Sequence, residues 1–432
     1  MTKPPIDTTT PPASRDDHFR IDDRQKTAVV ISGAGARGAY EAGVLAEVLP
    51  ELFPEGLGST LLLGTSAGAI NASLWAARAR RGVGLRSVGD AVCEIWEKAD
   101  QSNVFAPVTL TIAQRVAERL NPFKRSTGFQ GLLDTAPLFK FAQKVLDVAQ
   151  LARNLADGAV GGVGVVATSC PLDGGSGRSR LFYDGGALIA PEADPTGSID
   201  YVHTPIRHEH VLASAAIPVA FPGVAIESPA SHAGYYVDGG VRLNTPIKPA
   251  LGFGAERIVV VSSHATSYPA PKSLPMERPD IVDTAAQSLH AVMADGMIED
   301  LRALRRINDL VRQAARHALT LTKKGSAAPY KDIALLEVSP APGTLASLAA
   351  DRIGQLRPLF DKESRALWLL HWALTGVGDG AGNNELISYL LFDPDYARAQ
   401  IAAGRADGRA AVKRFRESAA LPTGPNDGAR AR

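Results

Sequence analysis

The sequence predicts an α/β fold around a mainly parallel sheet, and three observations predict it. "TAVVISG" at residues 27–33 is a β-branched run that ends in a glycine loop and is followed by a helical pattern. "STLLLGTSAGAINASLWAARARR" repeats that plan one unit later: apolar run, tight turn, helix. Further apolar runs, among them "GVGVVATSC", "RLFYDGG" and "ERIVVVSSH", then recur to about residue 263. The chain has 432 residues, of which 45% are hydrophobic and 21% charged, enough to bury a large core.

Each element follows from local pattern. Residues 1–25 are rich in Pro, Thr and charge and are expected to be a disordered lead. After the first glycine loop, "AYEAGVLAEVLPEL" places Val44, Leu45, Val48 and Leu49 on one helical face. Residues 82–158 are mostly helical in pattern and are expected to form an insertion beside the sheet. The turn "PLDGGSGRS" joins two strands, and "HVLASAAIPVAFP" and "GYYVDGGVRLNTP" are expected to carry the sheet onward. A Pro-rich break at 268–279 precedes a long amphipathic helical stretch, one more strand in "DIALLEVSP", and helices to about residue 417. The expected organisation is therefore a main domain at 26–267, a mainly helical extension at 268–417 packed on it, and a flexible tail at 418–432.

Composition excludes several function classes. Lys plus Arg total 46 against 45 for Asp plus Glu, and this net charge of +1 offers nothing to a nucleic acid. Cys93 and Cys170 cannot build a disulfide framework and show no metal-ligand spacing, so they are expected as buried free thiols in a reducing compartment. No Asp cluster or His pair has ligand spacing for calcium or zinc, and neither metal nor cofactor is expected. The N-terminus has prolines and acids where a signal peptide needs an apolar core of roughly 7 to 15 residues. No stretch approaches the roughly 18 to 20 apolar residues of a spanning helix. A cytoplasmic, soluble protein is the expectation; surface contact with a membrane stays open, and so does the oligomeric state.

The chemistry begins at Gly33, Gly35 and Gly38, which spell G-x-G-x-x-G between a strand and a helix. A dinucleotide site also needs an acidic residue about 20 positions on, at the end of the second strand. Glu51 and Glu55 instead precede that strand, so the ribose anchor is missing. The underlying physics survives: amides converging at a helix N-terminus stabilise negative charge, whether of a phosphate or of a tetrahedral oxyanion. The second strand favours the oxyanion. It runs into Gly64-Thr65-Ser66-Ala67-Gly68, a G-x-S-x-G in the strand–turn–helix setting of a nucleophile elbow.

A serine nucleophile needs a base. Ser66, Asp238 and His264 satisfy the Ser, Asp, His order of a hydrolase triad, although nothing beside His264 marks a catalytic loop. The dipeptide-glycine pattern D-G-G occurs at Asp173, Asp184 and Asp238. Asp173 lies in a hairpin turn and Asp184 in what reads as another turn. Asp238 ends the strand "GYYV", with Gly239 and Gly240 leading into a helix started by Pro246. Its carboxylate is expected to project from a strand's carboxyl end near Ser66, where a desolvated carboxylate suffices as a proton acceptor.

"GAGARGAYEAGVL", "GTSAGAINAS", "ASAAIPVAFPGV" and "VDGGVRLNTPI" stand in the order and spacing of patatin-like phospholipases, and the sequence resembles that family over residues 27–263. The resemblance implies a three-layer α/β/α fold and a Ser66–Asp238 dyad without histidine. It also implies an oxyanion hole of backbone amides around Gly33, Ala34 and Gly35, completed by Arg37 and Gly38. The family's loops begin with three glycines, and the middle one here is Ala34, which keeps the amide donor unless a positive φ is required. Ser214 and Pro218 read as packing and turn residues.

The function expected is a serine lipid acyl hydrolase acting through an acyl-enzyme on a lipid or other acyl ester. The alternatives are a triad esterase or an acyltransferase, a nucleotide-binding oxidoreductase, and a catalytically weak lipid-binding protein. Phe105, Leu110, Phe123 and Phe129 are candidate apolar contacts for substrate or bilayer.

Overall fold

The computed structural model describes residues 26–104, 136–171, 173, 175–186, 191–218, 221–268, 278, 281–322, 329–356 and 381–420. Its strands are β1 (Thr27–Ile31), β2 (Leu57–Thr65), β3 (Val160–Ser169), β4 (Ser179–Gly185), β5 (Ile199–His203), β6 (Val224–Ile226), β7 (Gly234–Asp238), β8 (Arg257–Val261) and β9 (Ala334–Val338). The first helices are α1 (Gly38–Leu52), α2 (Ala67–Arg78), α3 (Leu85–Glu97), α4 (Gln101–Val104), α5 (Ala136–Val145), α6 (Val148–Ala156), α7 (His208–Ser214) and α8 (Ile247–Gly252). Beyond them lie α9 (Ile281–His290), α10 (Gly296–Arg316), α11 (Thr344–Gln355), α12 (Ala381–Leu390) and α13 (Pro394–Ala420).

The main strand order is β5-β4-β3-β2-β1-β8-β9. The pairs β1–β2, β1–β8, β2–β3, β4–β5 and β8–β9 are parallel, whereas β4 and β7 run antiparallel to β3. Consecutive apolar residues are explained by burial on both faces. Val29 and Ile31 of β1 pack in one core with α1 and α2, while Ala28 and Val30 pack in a second core with α8 and α10. The result is a three-layer α/β/α fold.

Three local expectations change. Among the described residues, "HVLASAAIPVAFP" contributes no strand: its residues up to Ser214 form α7 (His208–Ser214), whose small and apolar Val211, Leu212 and Ala213 are buried. β9 pairs with β8, so the stretch after residue 268 supplies the edge of the central sheet as well as helices on its surface. Cys93 is buried as expected, but Cys170 is exposed.

The C-terminal helix is tightly joined to the first. A Cβ on Gly43 would lie 2.4 Å from the main-chain oxygen of Ile401, and one on Gly404 would lie 2.1 Å from that of Tyr40. At these crossings α1 and α13 approach backbone to backbone, and Arg405 and Arg409 cap the contact with ion pairs to Glu47 at 3.1 and 3.2 Å.

Candidate active site

β2 ends at Thr65 and α2 begins at Ala67, so Ser66 carries the whole reversal, with φ 54° and ψ −124°. A positive φ is uncommon outside glycine, and such strain costs about 1–3 kcal/mol. The neighbours permit it by having no side chains. A Cβ on Gly64 would meet the Gly68 oxygen at 2.2 Å, and one on Gly68 would meet the oxygens of Ile31 and Ser32 at 2.4 Å. The Ser66 N–H donates to Ser214 Oγ at 2.8 Å, and that hydroxyl donates to the Val166 oxygen at 2.5 Å. Ser214 thus anchors the elbow from α7, which its position in an Ala-rich run did not signal.

Asp238 reaches Ser66 by sheet register. Thr65 pairs with Val166 on β3, and the next β3 residue, Ala167, pairs with Asp238 at the end of β7. β7 is one of the antiparallel strands of the mainly parallel sheet, so Asp238 arrives beside β3 from the opposite chain direction. Its carboxyl is buried, with Oδ1 accepting the Gly240 N–H at 2.6 Å. Oδ2 has no hydrogen-bond partner among the described residues. Burial pushes this carboxyl up to about 6, against the opposing pull of the nearby Ser66 side chain and the Gly240 amide. The Ser66 hydroxyl is therefore near enough to favour the carboxylate, without the geometry of an ordinary hydrogen bond to Oδ2. Gly239 opens the short turn Gly239–Val241 that follows β7.

Three amides of the glycine loop, those of Gly33, Arg37 and Gly38, make hydrogen bonds that shape the loop. The Gly33 N–H donates to the Asn244 oxygen and that of Arg37 to the Ala34 oxygen, each at 3.0 Å. Gly38 donates to the Gly35 oxygen. No acceptor is found among the described residues for the amides of Ala34 and Gly35. Gly35 has φ +55°, where a Cβ would also meet the Tyr389 oxygen at 2.6 Å. Ala34 has φ −143°, so its methyl group sits at a position that does not require glycine. Asn244, in a segment read as a turn, holds the loop through Nδ2, which donates to the Gly33 oxygen at 3.3 Å and the Met293 oxygen at 2.7 Å.

Behind the loop lies a buried polar cluster. Ser32 Oγ donates to Glu41 at 2.8 Å, Asn71 Nδ2 donates to the Gly38 oxygen at 3.0 Å, and Trp96 Nε1 donates to Asn71 Oδ1 at 2.7 Å. Desolvation raises the Glu41 carboxyl well above its ordinary range despite the hydrogen bonds from Ser32 and Asn71.

The Arg37 side chain turns toward α12. Its Nε donates to Ser388 Oγ at 2.8 Å, Nη1 to Tyr389 Oη at 3.2 Å, and Nη2 makes a 2.8 Å ion pair with Glu385. His264 also lies on that side. Its Nε2 shares a 2.7 Å hydrogen bond with Tyr389 Oη, and Nδ1 is 3.4 Å from Ser263 Oγ. Burial first, then the charges of Arg37 and His290, hold its pKa well below the usual histidine range. The structure does not bring His264 to Asp238. Arg37, His264, Tyr268, His290 and Glu385 instead line a separate cavity of about 400 Å³ with mixed polar and apolar walls. Of the other D-G-G aspartates, Asp173 is exposed and bonds the Gly175 amide of its own turn at 2.9 Å, and Asp184 sits within β4 opposite Val163.

Ser66 opens onto a cavity of about 70 Å³ lined by apolar side chains. Ile70 and Leu74 come from α2, Ile95 and Trp96 from α3, Leu138 and Phe141 from α5, and Val211 and Leu212 from α7. Phe221 and Phe392 complete the wall, and Gly35 of the loop borders the same space. Phe105, Leu110, Phe123 and Phe129 lie outside the described residues. Among the described residues, no helix is long and apolar enough to cross a membrane.

No curated protein matches the sequence. Among solved structures, VipD from Legionella pneumophila aligns at 13% identity over 93% of this chain and 92% of its own, with a TM-score of 0.27. Human GIVD cytosolic phospholipase A2 aligns at 13% identity over 91% of this chain, with a TM-score of 0.33; the alignment spans 60% of the human chain. The sequence profile of the patatin-like phospholipases matches residues 29–251, which include the glycine loop, the Ser66 elbow and the Asp238 turn. The chain belongs to the patatin-like phospholipase family, a family of lipid acyl hydrolases.

Proposed function

We propose that the protein hydrolyses acyl esters of lipids with Ser66 as nucleophile and Asp238 as proton acceptor. One observation carries the reading. A serine on a strained elbow lies between an apolar cavity on one side and a buried carboxyl with an unpartnered oxygen on the other.

The steps balance within that site. An ester enters with its acyl chain along Ile70, Leu74 and Phe141, which removes apolar surface from water. Ser66 Oγ gives its proton to Asp238 as it bonds to the carbonyl carbon, and the carbonyl oxygen takes the negative charge. The amides of Ala34 and Gly35 are the donors available to that oxyanion, while the amides of Gly33, Arg37 and Gly38 hold the loop's own shape. Collapse breaks the ester bond, and the leaving alcohol takes the proton from Asp238. Water then repeats the sequence on the acyl-enzyme and releases a fatty acid. No step needs a metal or a cofactor.

A carboxyl with a pKa near 6 is matched to this task. It is ionised at neutral pH, yet basic enough to share a proton in the transition state. A triad through His264 has less support, because that imidazole is bonded to Tyr389 and lines the cavity it shares with Arg37 and Glu385.

The test is covalent labelling by a fluorophosphonate, with ester hydrolysis followed on a panel of phospholipids, lysophospholipids and glycerides. Ser66→Ala is expected to lose labelling and to lower hydrolysis by several orders of magnitude, Asp238→Asn to lower both, and His264→Ala to retain labelling. Full hydrolysis by Ser66→Ala would overturn the reading, and labelling lost in His264→Ala would replace the dyad by a triad. Transfer of the acyl group to an added alcohol in preference to water would make the enzyme an acyltransferase.

A further inference from the structure

The glycine loop is gripped from outside by a helix that lies far beyond the family's match, which ends at residue 251. Arg37 is 3% exposed, and among the described residues the hydrogen-bond partners of its guanidinium lie on α12. Its Nε and Nη2 both donate to Ser388 Oγ, Nη1 donates to Tyr389 Oη at 3.2 Å, and Nη2 pairs with Glu385 at 2.8 Å. The same guanidinium stacks 4.0 Å from the centre of the Tyr389 ring. The main-chain oxygen of Tyr389 lies where Gly35 has no side chain, and Gln400 Nε2 of α13 donates to the Ala36 oxygen at 3.2 Å. Three successive loop residues, Gly35, Ala36 and Arg37, are thus held by α12 and α13.

From this we propose that Arg37 and Ser388 are positioning residues: α12 sets the place of the Ala34 and Gly35 amides by clamping Arg37. The proposal rests on the oxyanion role given to those amides above. Its physical basis is the fork geometry of arginine. A planar guanidinium bonded along one edge to a serine hydroxyl and stacked on a ring fixes both position and orientation, which a lysine ammonium cannot do. A main-chain donor displaced by a fraction of an ångström still binds substrate, but loses its alignment with the oxyanion. The clamp therefore acts on the rate of the chemical step and leaves ground-state binding to the apolar cavity.

The experiment compares a soluble acyl ester with its thionoester, in which sulfur replaces the carbonyl oxygen. Sulfur is larger and a poor acceptor, so amide donors assist the ester far more than the thionoester. Ser388→Ala, Tyr389→Phe and Ser388→Thr are made in the full chain, with melting temperatures recorded. The expected result for Ser388→Ala is a fall in kcat for the ester of about tenfold or more, smaller than the ~10²–10³ lost when an oxyanion donor is removed outright. KM stays within about twofold, the thionoester rate is nearly unchanged, and Ser388→Thr restores the ester rate. Tyr389→Phe keeps the ring and its main-chain contact, and gives the same selective loss if Ser388→Ala fails to fold. A parallel fall of ester and thionoester rates, or no fall in either, overturns the clamp while leaving the nucleophile assignment standing. Ester hydrolysis that survives Ser66→Ala would instead overturn the underlying reading, and the two failures are told apart by that variant alone.

Discussion

The N–H of Ser66 donates to the hydroxyl of Ser214 at 2.8 Å, across 148 residues of sequence. The same hydroxyl donates to the Val166 oxygen, so one side chain ties the elbow to α7 and β3. Ser214→Ala leaves a buried donor and a buried acceptor with one partner fewer, and each such loss costs about 1–3 kcal/mol. The variant is expected to melt several degrees lower and to react more slowly with a fluorophosphonate. Differential scanning calorimetry and labelling rates measure the two effects.

The pH profile follows from Asp238, whose carboxyl is raised from 3.8 to about 6 by burial. A proton acceptor works ionised, so kcat/KM is expected to fall as pH drops through about 6, with an acid limb well above the usual carboxylate range. Stability runs the other way. The folded state holds this proton more tightly than the unfolded chain, so the contribution is complete below about 3.8 and is lost as pH rises through about 6. Asp238→Asn should remove that increment from the pH dependence of urea unfolding, and an acid limb near 4 in the wild type would contradict the assignment.

Ser66 holds a φ of 54°, a backbone conformation that favours glycine over any residue with a side chain. Ser66→Gly is expected to be inactive yet more stable than Ser66→Ala, because glycine adopts this backbone freely and alanine does not. The strain is worth about 1–3 kcal/mol, and the larger chain entropy of glycine in the unfolded state offsets about 0.4–1 of it. Equal melting temperatures for the two variants would show that the elbow holds little strain.

Phe392 brings the C-terminal region to the substrate side, lining the Ser66 cavity beside Phe221. Phe392→Ala is expected to lengthen that cavity and shift the preferred acyl chain upward. A series of p-nitrophenyl esters of increasing chain length reads this as a changed ratio of kcat/KM values, long over short.

Much of the local structure of the candidate site was legible because it depends on local pattern. Gly64 and Gly68 flank Ser66 since a strand that reverses into a helix in one residue has no room for Cβ atoms there. The alternation of two cores on β1 requires the unbroken apolar run "TAVVI", which reads as a parallel strand without any knowledge of its partners. α7 was less legible: "HVLASAA" is too short and too small in its side chains for its periodicity to separate helix from strand.

The sequence by itself determined that a strand, a glycine loop, a second strand and a tight serine turn succeed one another, and that Asp238 closes a later strand before two glycines. Those are short-range consequences of turn geometry, side-chain size and apolar periodicity. Only the tertiary structure decided which partners each residue has. Asp238 reaches Ser66 through the antiparallel pairing of β7 with β3, and a strand's direction is set by its neighbours. His264 is occupied by Tyr389, and Arg37 by Ser388 and Glu385, through contacts that span 125 residues or more. Such long-range pairings leave no periodic trace, because each depends on one side chain meeting another across the folded chain.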